Sequence, residues 1–156
     1  MKTIIIGQAP PAVKQELPYD TTALYDWLEA VGVSKEKAQE IIEFEACYHT
    51  FLGYDAKGGH KKPSYKHFEE HWAQTLRDKV KAAENVILVG SVARDFMMKK
   101  LGYTKKLNWG EIVTLHHGKN RKFTVLPHPS KRNTKLHNEK KEIILKTFED
   151  FFGNVK

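Results

Sequence analysis

Apolar positions along the chain fall into two kinds of run. Short, continuous, β-branched stretches stand at Thr3–Ile6 and Asn85–Val89, each followed by a glycine, Gly7 or Gly90. Runs of this form read as buried strands. Phe44–Thr50 alternates weakly and predicts a further strand. Glu111–His117 and Arg121–Leu126 predict two more, around a Gly118-Lys119-Asn120 turn. Between the strands the spacing turns helical. Asp20, Thr21 or Thr22 can cap a helix with Leu24, Trp27, Leu28 and Val31 inward, closed by Gly32. Ser34 caps a short one with Ala38, Ile41 and Ile42 inward, and Ser64 a long one with Phe68, Trp72, Leu76, Val80 and Ala83 on one face. Ser91 to about Lys100 predicts another, and about Asn138–Phe152 closes the chain with Ile144, Leu145, Phe148 and Phe152 inward. Strands alternating with helices predict an α/β fold with a parallel-rich sheet covered on both faces.

Length and composition narrow the class. The 156 residues suggest one domain, 1–156. No apolar run approaches the roughly 18 residues of a membrane span. The first strand begins so early that no signal peptide is expected. Cys47 stands alone, so an internal disulfide or a multi-cysteine metal cluster is excluded. A cytoplasmic location is the expectation. The net charge of +7 suits either a solvated lysine-rich surface or contact with a polyanion.

Two loops carry the candidate chemistry. The first strand runs into Gly7-Gln8-Ala9-Pro10-Pro11, and the last into Pro127-His128-Pro129-Ser130. In an open α/β sheet, ligands bind outside the carboxyl ends of the strands. If these two strands are parallel neighbours or near-neighbours, Gln8 and His128 face one crevice.

Gly7-Gln8-Ala9-Pro10 resembles the Gly-x-x-Pro loop of the uracil-DNA glycosylase superfamily, and His128-Pro129-Ser130 matches that family's His-Pro-Ser loop. Pro18-Tyr19 looks like its Pro-Phe, whose ring stacks on the base. Leu115-His116-His117-Gly118 sits where the cluster-bearing branch has an apolar-x-Arg-Gly turn. With one cysteine, the resemblance is to the branch without an iron–sulfur cluster. It implies a three-layer α/β/α sandwich with a short, mostly parallel central sheet. It also implies a pocket for one extruded base, cleavage of that base's N-glycosidic bond, no cofactor, and no metal.

Carried over residue by residue, the resemblance makes His128 and Gln8 the catalytic pair. His128 would hydrogen-bond the base oxygen where charge accumulates, and Gln8 would orient a water. The backbone at Gln8 and Ala9 would hold the base carbonyl, and Tyr19 would stack on the ring. The family's base-reading Asn at the end of the second strand has no counterpart, so His49 or Thr50 takes its place. Ser130, Lys131, Arg132, Lys61 and Lys62 would meet the phosphates of single- or double-stranded DNA. Lys57, His60 and Lys135 lie near them in the chain. After the histidine loop the family has an apolar wedge; here Lys131-Arg132-Asn133 stands, with Leu136 further on. The product would be a free nucleobase, and a monomer is expected.

Two other readings follow. The first loop has no carboxylate, which favours a catalytically weak or inactive DNA- or base-binding protein on the same fold, unless Asp20 or Asp55 folds into the pocket. His67-Phe-Glu-Glu-His71 also matches the His-x-x-Glu-His pattern of inverted zinc peptidases. Under that remote alternative His67 and His71 hold zinc beside Glu70.

Overall fold

The computed structural model describes residues 2–8, 21–48, 56–57, 64–129 and 134–153. Strands β1 (Thr3–Gly7), β2 (Ile42–Ala46), β3 (Asn85–Val89), β4 (Val113–His117) and β5 (Lys119–Leu126) form one sheet in the order β2-β1-β3-β5-β4. All neighbouring pairs are parallel except the β4–β5 hairpin. The carboxyl ends of β1, β3 and β5 therefore share one edge.

Successive residues of a strand point to opposite faces, and the core divides accordingly. Ile4, Ile6, Val86, Leu88, Phe123 and Val125 pack on one face against α3 (Tyr65–His71), α4 (Arg77–Ala82) and α5 (Ser91–Lys100). Ile5, Ile87, Val89 and Leu126 pack on the other, against α1 (Thr22–Ala30), α2 (Lys35–Ile41) and α7 (Lys141–Phe152). The short helix α6 (Thr134–Glu139) precedes α7. This is an α/β/α sandwich with a short, mostly parallel sheet.

The chain moves outward from β1 to β2, then returns past β1 to β3 and on to β5. The reversal makes the carboxyl edge between β1 and β3 the topological switch point, where crevices open in sheets of this kind.

Local signals account for most elements. Ser34 Oγ accepts from the Lys37 amide, and Ser64 forms a reciprocal capping box with His67. Between α3 and α4 the helix widens into a π turn, Trp72–Leu76. The reason is in the apolar spacing. Phe68, Trp72, Leu76 and Val80 recur every four residues and are all buried. In a uniform α-helix a four-residue repeat drifts by about 40° per step. The wider turn cancels part of that drift and keeps all four on the sheet.

Several boundaries differ from the sequence reading. Ile42 opens β2 rather than facing inward from α2, and the strand spans 42–46 instead of 44–50. The last helix is two, because Lys140 leaves helical geometry at φ −109°, ψ 14°. Strand β5 begins at Lys119, so the hairpin turn reduces to Gly118. The loop at 52–63 lies outside the described residues except for 56–57.

Candidate functional site

Three strand ends build the site. Leaving β1, Gln8 is anchored by its carbonyl, which accepts from the Cys47 amide at 2.7 Å. Leaving β3, Gly90 donates its amide to the Leu126 carbonyl of β5 at 2.8 Å and opens α5. Leaving β5, His128 stands between Pro127 and Pro129, both buried. Strand β3 separates β1 from β5, so the two predicted loops are near-neighbours and Gly90 lies between them.

Gln8 and His128 line one cavity of about 240 Å³, with Gly90, Ser91, Trp109 and Leu136 among the other walls. Drug-sized ligands occupy about 300–1,000 Å³, so this hollow suits a single planar ring. The walls are chemically mixed. Trp109 and Leu136 supply apolar surface; Gln8, Ser91 and His128 supply hydrogen-bonding side chains. No carboxylate is among the described residues of the lining.

The histidine loop is held from outside the cavity. His137 Nε2 lies 2.7 Å from the His128 carbonyl oxygen. A carbonyl only accepts, so this nitrogen carries the proton. The His137 ring in turn packs edge-on against Trp27, with centroids 4.9 Å apart. Trp109 is held similarly: the Gly110 amide donates to the Val125 carbonyl at 2.8 Å, and the Arg94 guanidinium lies 5.7 Å from the indole centroid.

Of the residues singled out from the sequence, Gln8 and His128 meet in this cavity. Leu136, considered there in connection with the apolar wedge, lines the same hollow. Ala9, Tyr19, His49, Thr50, Ser130, Lys131, Arg132, Lys61 and Lys62 lie outside the described residues, as do Asp20, Asp55 and His60. Lys57 and Lys135 are exposed. Gly90, Ser91, Trp109 and His137 are additions. Gly90 carried the signal already used for Gly7, a glycine ending a buried strand. Trp109 and His137 carried none, since each acts on groups distant in sequence.

The residues of the zinc-peptidase pattern are arranged otherwise. His67 Nδ1 accepts from the Ser64 amide at 3.1 Å, within the capping box. Glu70 is exposed. His71, expected at the border of the buried face, is buried, with its Nε2 3.8 Å from Glu45 Oε1. Among the described residues no three His, Cys, Asp or Glu side chains are grouped to hold a metal.

No helix among the described residues is long and apolar enough to cross a membrane. Comparison with protein families matches residues 1–152 to the Uracil DNA glycosylase superfamily, whose members act on DNA. No curated protein matches the chain. The match spans nearly the whole chain, including both loops that border the cavity. The chain therefore belongs to the uracil-DNA glycosylase superfamily, and its function in general terms is DNA glycosylase-like.

Proposed function

We propose that this protein flips a uracil-type or related damaged base out of DNA and hydrolyses its N-glycosidic bond in the cavity between Gln8 and His128. The observation that carries the proposal is their meeting, from separate strands, on one ring-sized hollow at the switch point of the sheet. A stacked base is out of reach, so the reaction begins with extrusion, at about a few kcal/mol. The bond then breaks heterolytically. Its electron pair goes to the base, leaving oxocarbenium character on the sugar; water adds to the sugar carbon and releases a proton. His128 donates to the base oxygen that gains charge, a contribution of about 10²–10³-fold for one such donor. Gln8 orients the water. Ala9 offers its amide to the base carbonyl, Tyr19 stacks on the ring, and His49 or Thr50 meets its edge. Ser130, Lys131, Arg132, Lys61 and Lys62 take the flanking phosphates. The enzyme works as a monomer without a cofactor and releases the free base.

A second reading has specific support. With no carboxylate in the described lining, general-base help is missing, at a cost of about 10²–10⁴-fold. The protein then recognises a base or lesion and cleaves it slowly or not at all.

Single-turnover excision from uracil-, hypoxanthine- and mismatch-containing oligonucleotides, with gel shifts on the same set, separates the two. Cleavage that falls about 10²–10³-fold in His128→Ala, with binding retained, supports the glycosylase. A gel shift without cleavage by the wild-type chain supports the binding protein. Absence of both overturns both.

A further inference from the structure

A second concavity lies beyond Trp109, where nothing so far assigns a role. It runs between the later part of α5 and residues 102–106, with a volume of about 520 Å³. Four cations border it: Arg94, Lys99, Lys105 and Lys106. The one carboxylate in the lining, Asp95, is held by Arg94 at 2.8 Å. Met98 and Tyr103 add apolar surface. Lys99 lies 4.2 Å from the centroid of the Tyr65 ring, which places its ammonium over an aromatic face. Lys105 and Lys106 are exposed and form no ion pair among the described residues.

We propose that this groove is a track for the phosphate backbone of a nucleic-acid strand adjoining the cavity. Two observations select that occupant. The groove concentrates uncompensated positive charge, as a polyanion requires. It is also linked to the candidate site through one contact: Arg94 borders the groove, and its guanidinium lies over Trp109, a wall of the cavity. Tyr103 gives an unpaired base a face to stack on. The inference rests on the DNA reading above for the identity of its ligand, and it assigns a surface distinct from the cavity.

The test is the salt dependence of binding by the full chain, read as anisotropy of a short fluorescein-labelled single-stranded oligonucleotide. On a single strand, each phosphate that is no longer neutralised flattens the log–log salt slope by about 0.7. The double variant Lys105→Ala/Lys106→Ala is expected to flatten it by about 1.4. Between about 50 and 200 mM salt its affinity then falls by a factor about sevenfold smaller than that of the wild type. Lys105→Arg/Lys106→Arg keeps the wild-type slope. An unchanged slope in the alanine variant overturns the track. So does tighter binding of a labelled poly-glutamate peptide than of the oligonucleotide, abolished in the same variant, which reassigns the groove to an acidic protein. Because slope and excision are read separately, the two proposals fail separately. Cleavage with an unchanged slope removes the track alone. A flattened slope in a chain that never cleaves removes the glycosylase alone.

Discussion

His128 rests on the bare α-carbon of Gly90. A β-carbon at Gly90 would lie 3.3 Å from Cβ of His128 and 3.5 Å from its Cδ2, and the Gly90 backbone has φ +93°. Both the space and the dihedral require glycine. With ψ 160° as well, Gly90 lies in a region essentially confined to glycine, so Gly90→Ala is expected to lower stability by about 1–3 kcal/mol from the backbone alone, read as a lower denaturant midpoint. It also displaces the imidazole by a few tenths of an ångström. Excision should fall about tenfold at saturating DNA, given that about 1 Å of misplacement can cost 10²-fold. Wild-type excision in a folded Gly90→Ala protein would show that the imidazole's seat does not matter.

His137 is a positioning residue for His128, acting through the carbonyl it bonds. His137→Phe keeps a ring against Trp27 but removes the donor, at about 0.5–1.5 kcal/mol. Excision at saturating DNA should drop about tenfold while DNA affinity stays unchanged. His137→Gln, which restores an N–H, should recover part of the activity. Equal activity in the Phe and Gln variants would argue for a packing role alone.

The outer strand β2 is fastened to α4 by charge. Lys79 bridges Glu43, at 2.9 Å, and Glu45, while Lys2 reaches Glu43 at 3.0 Å. Burial alone would raise both carboxyls. Hydrogen bonds from Lys79, joined by Lys2 on Glu43 and by His71 on Glu45, outweigh it and hold both below 4.5. Since the folded values are depressed, the stabilisation is present above pH 4.5 and disappears as pH falls through them. Lys79→Met should lower the neutral-pH stability by about 0.5–1 kcal/mol, allowing for solvent screening of a partly exposed lysine. It should also flatten the acid limb of the stability–pH curve. A parallel curve would mean that the lysine contributes nothing to the carboxylates.

His117 gives a second pH signature, nearer neutrality. Its Nε2 is buried with no hydrogen-bond partner among the described residues, and its ring packs 5.4 Å from Trp72. Burial, together with the nearby Arg121 cation, pushes its pKa below 6.5. The unfolded chain takes up a proton there first, so stability should fall as pH drops below about 6.5. Thermal melts of His117→Phe across that range should show a weaker dependence than wild type.

Elements bounded by strong local signals were legible from residues alone. Asn85–Val89 and Ser91–Lys100 have the predicted limits, because a continuous apolar run meets Gly90 and then a helical pattern. The change from α2 to β2 was not, since Ile41 and Ile42 suit either period and no glycine or proline divides them. The break at Lys140 was hidden for the same reason. In the site, Gln8 and His128 stood out because each follows a buried strand in a proline-rich loop. Trp109 did not, because the segment between α5 and β4 has no periodicity, and only tertiary packing brings it to the cavity.

Arg121, at the opposite end of β5 from the histidine loop, is almost fully buried. Its guanidinium donates to the carbonyls of Val80, Lys81 and Ala83 where α4 ends, and to those of His117 and Lys119 beside the hairpin turn. The strand is thus nailed at its entrance by a cation and at its exit by the imidazole of residue 137. A segment fixed at both ends cannot slip in register, so the height at which the imidazole of residue 128 stands is set partly by a guanidinium about 23 Å away along the strand. Wear at that far nail would loosen the working end without touching it.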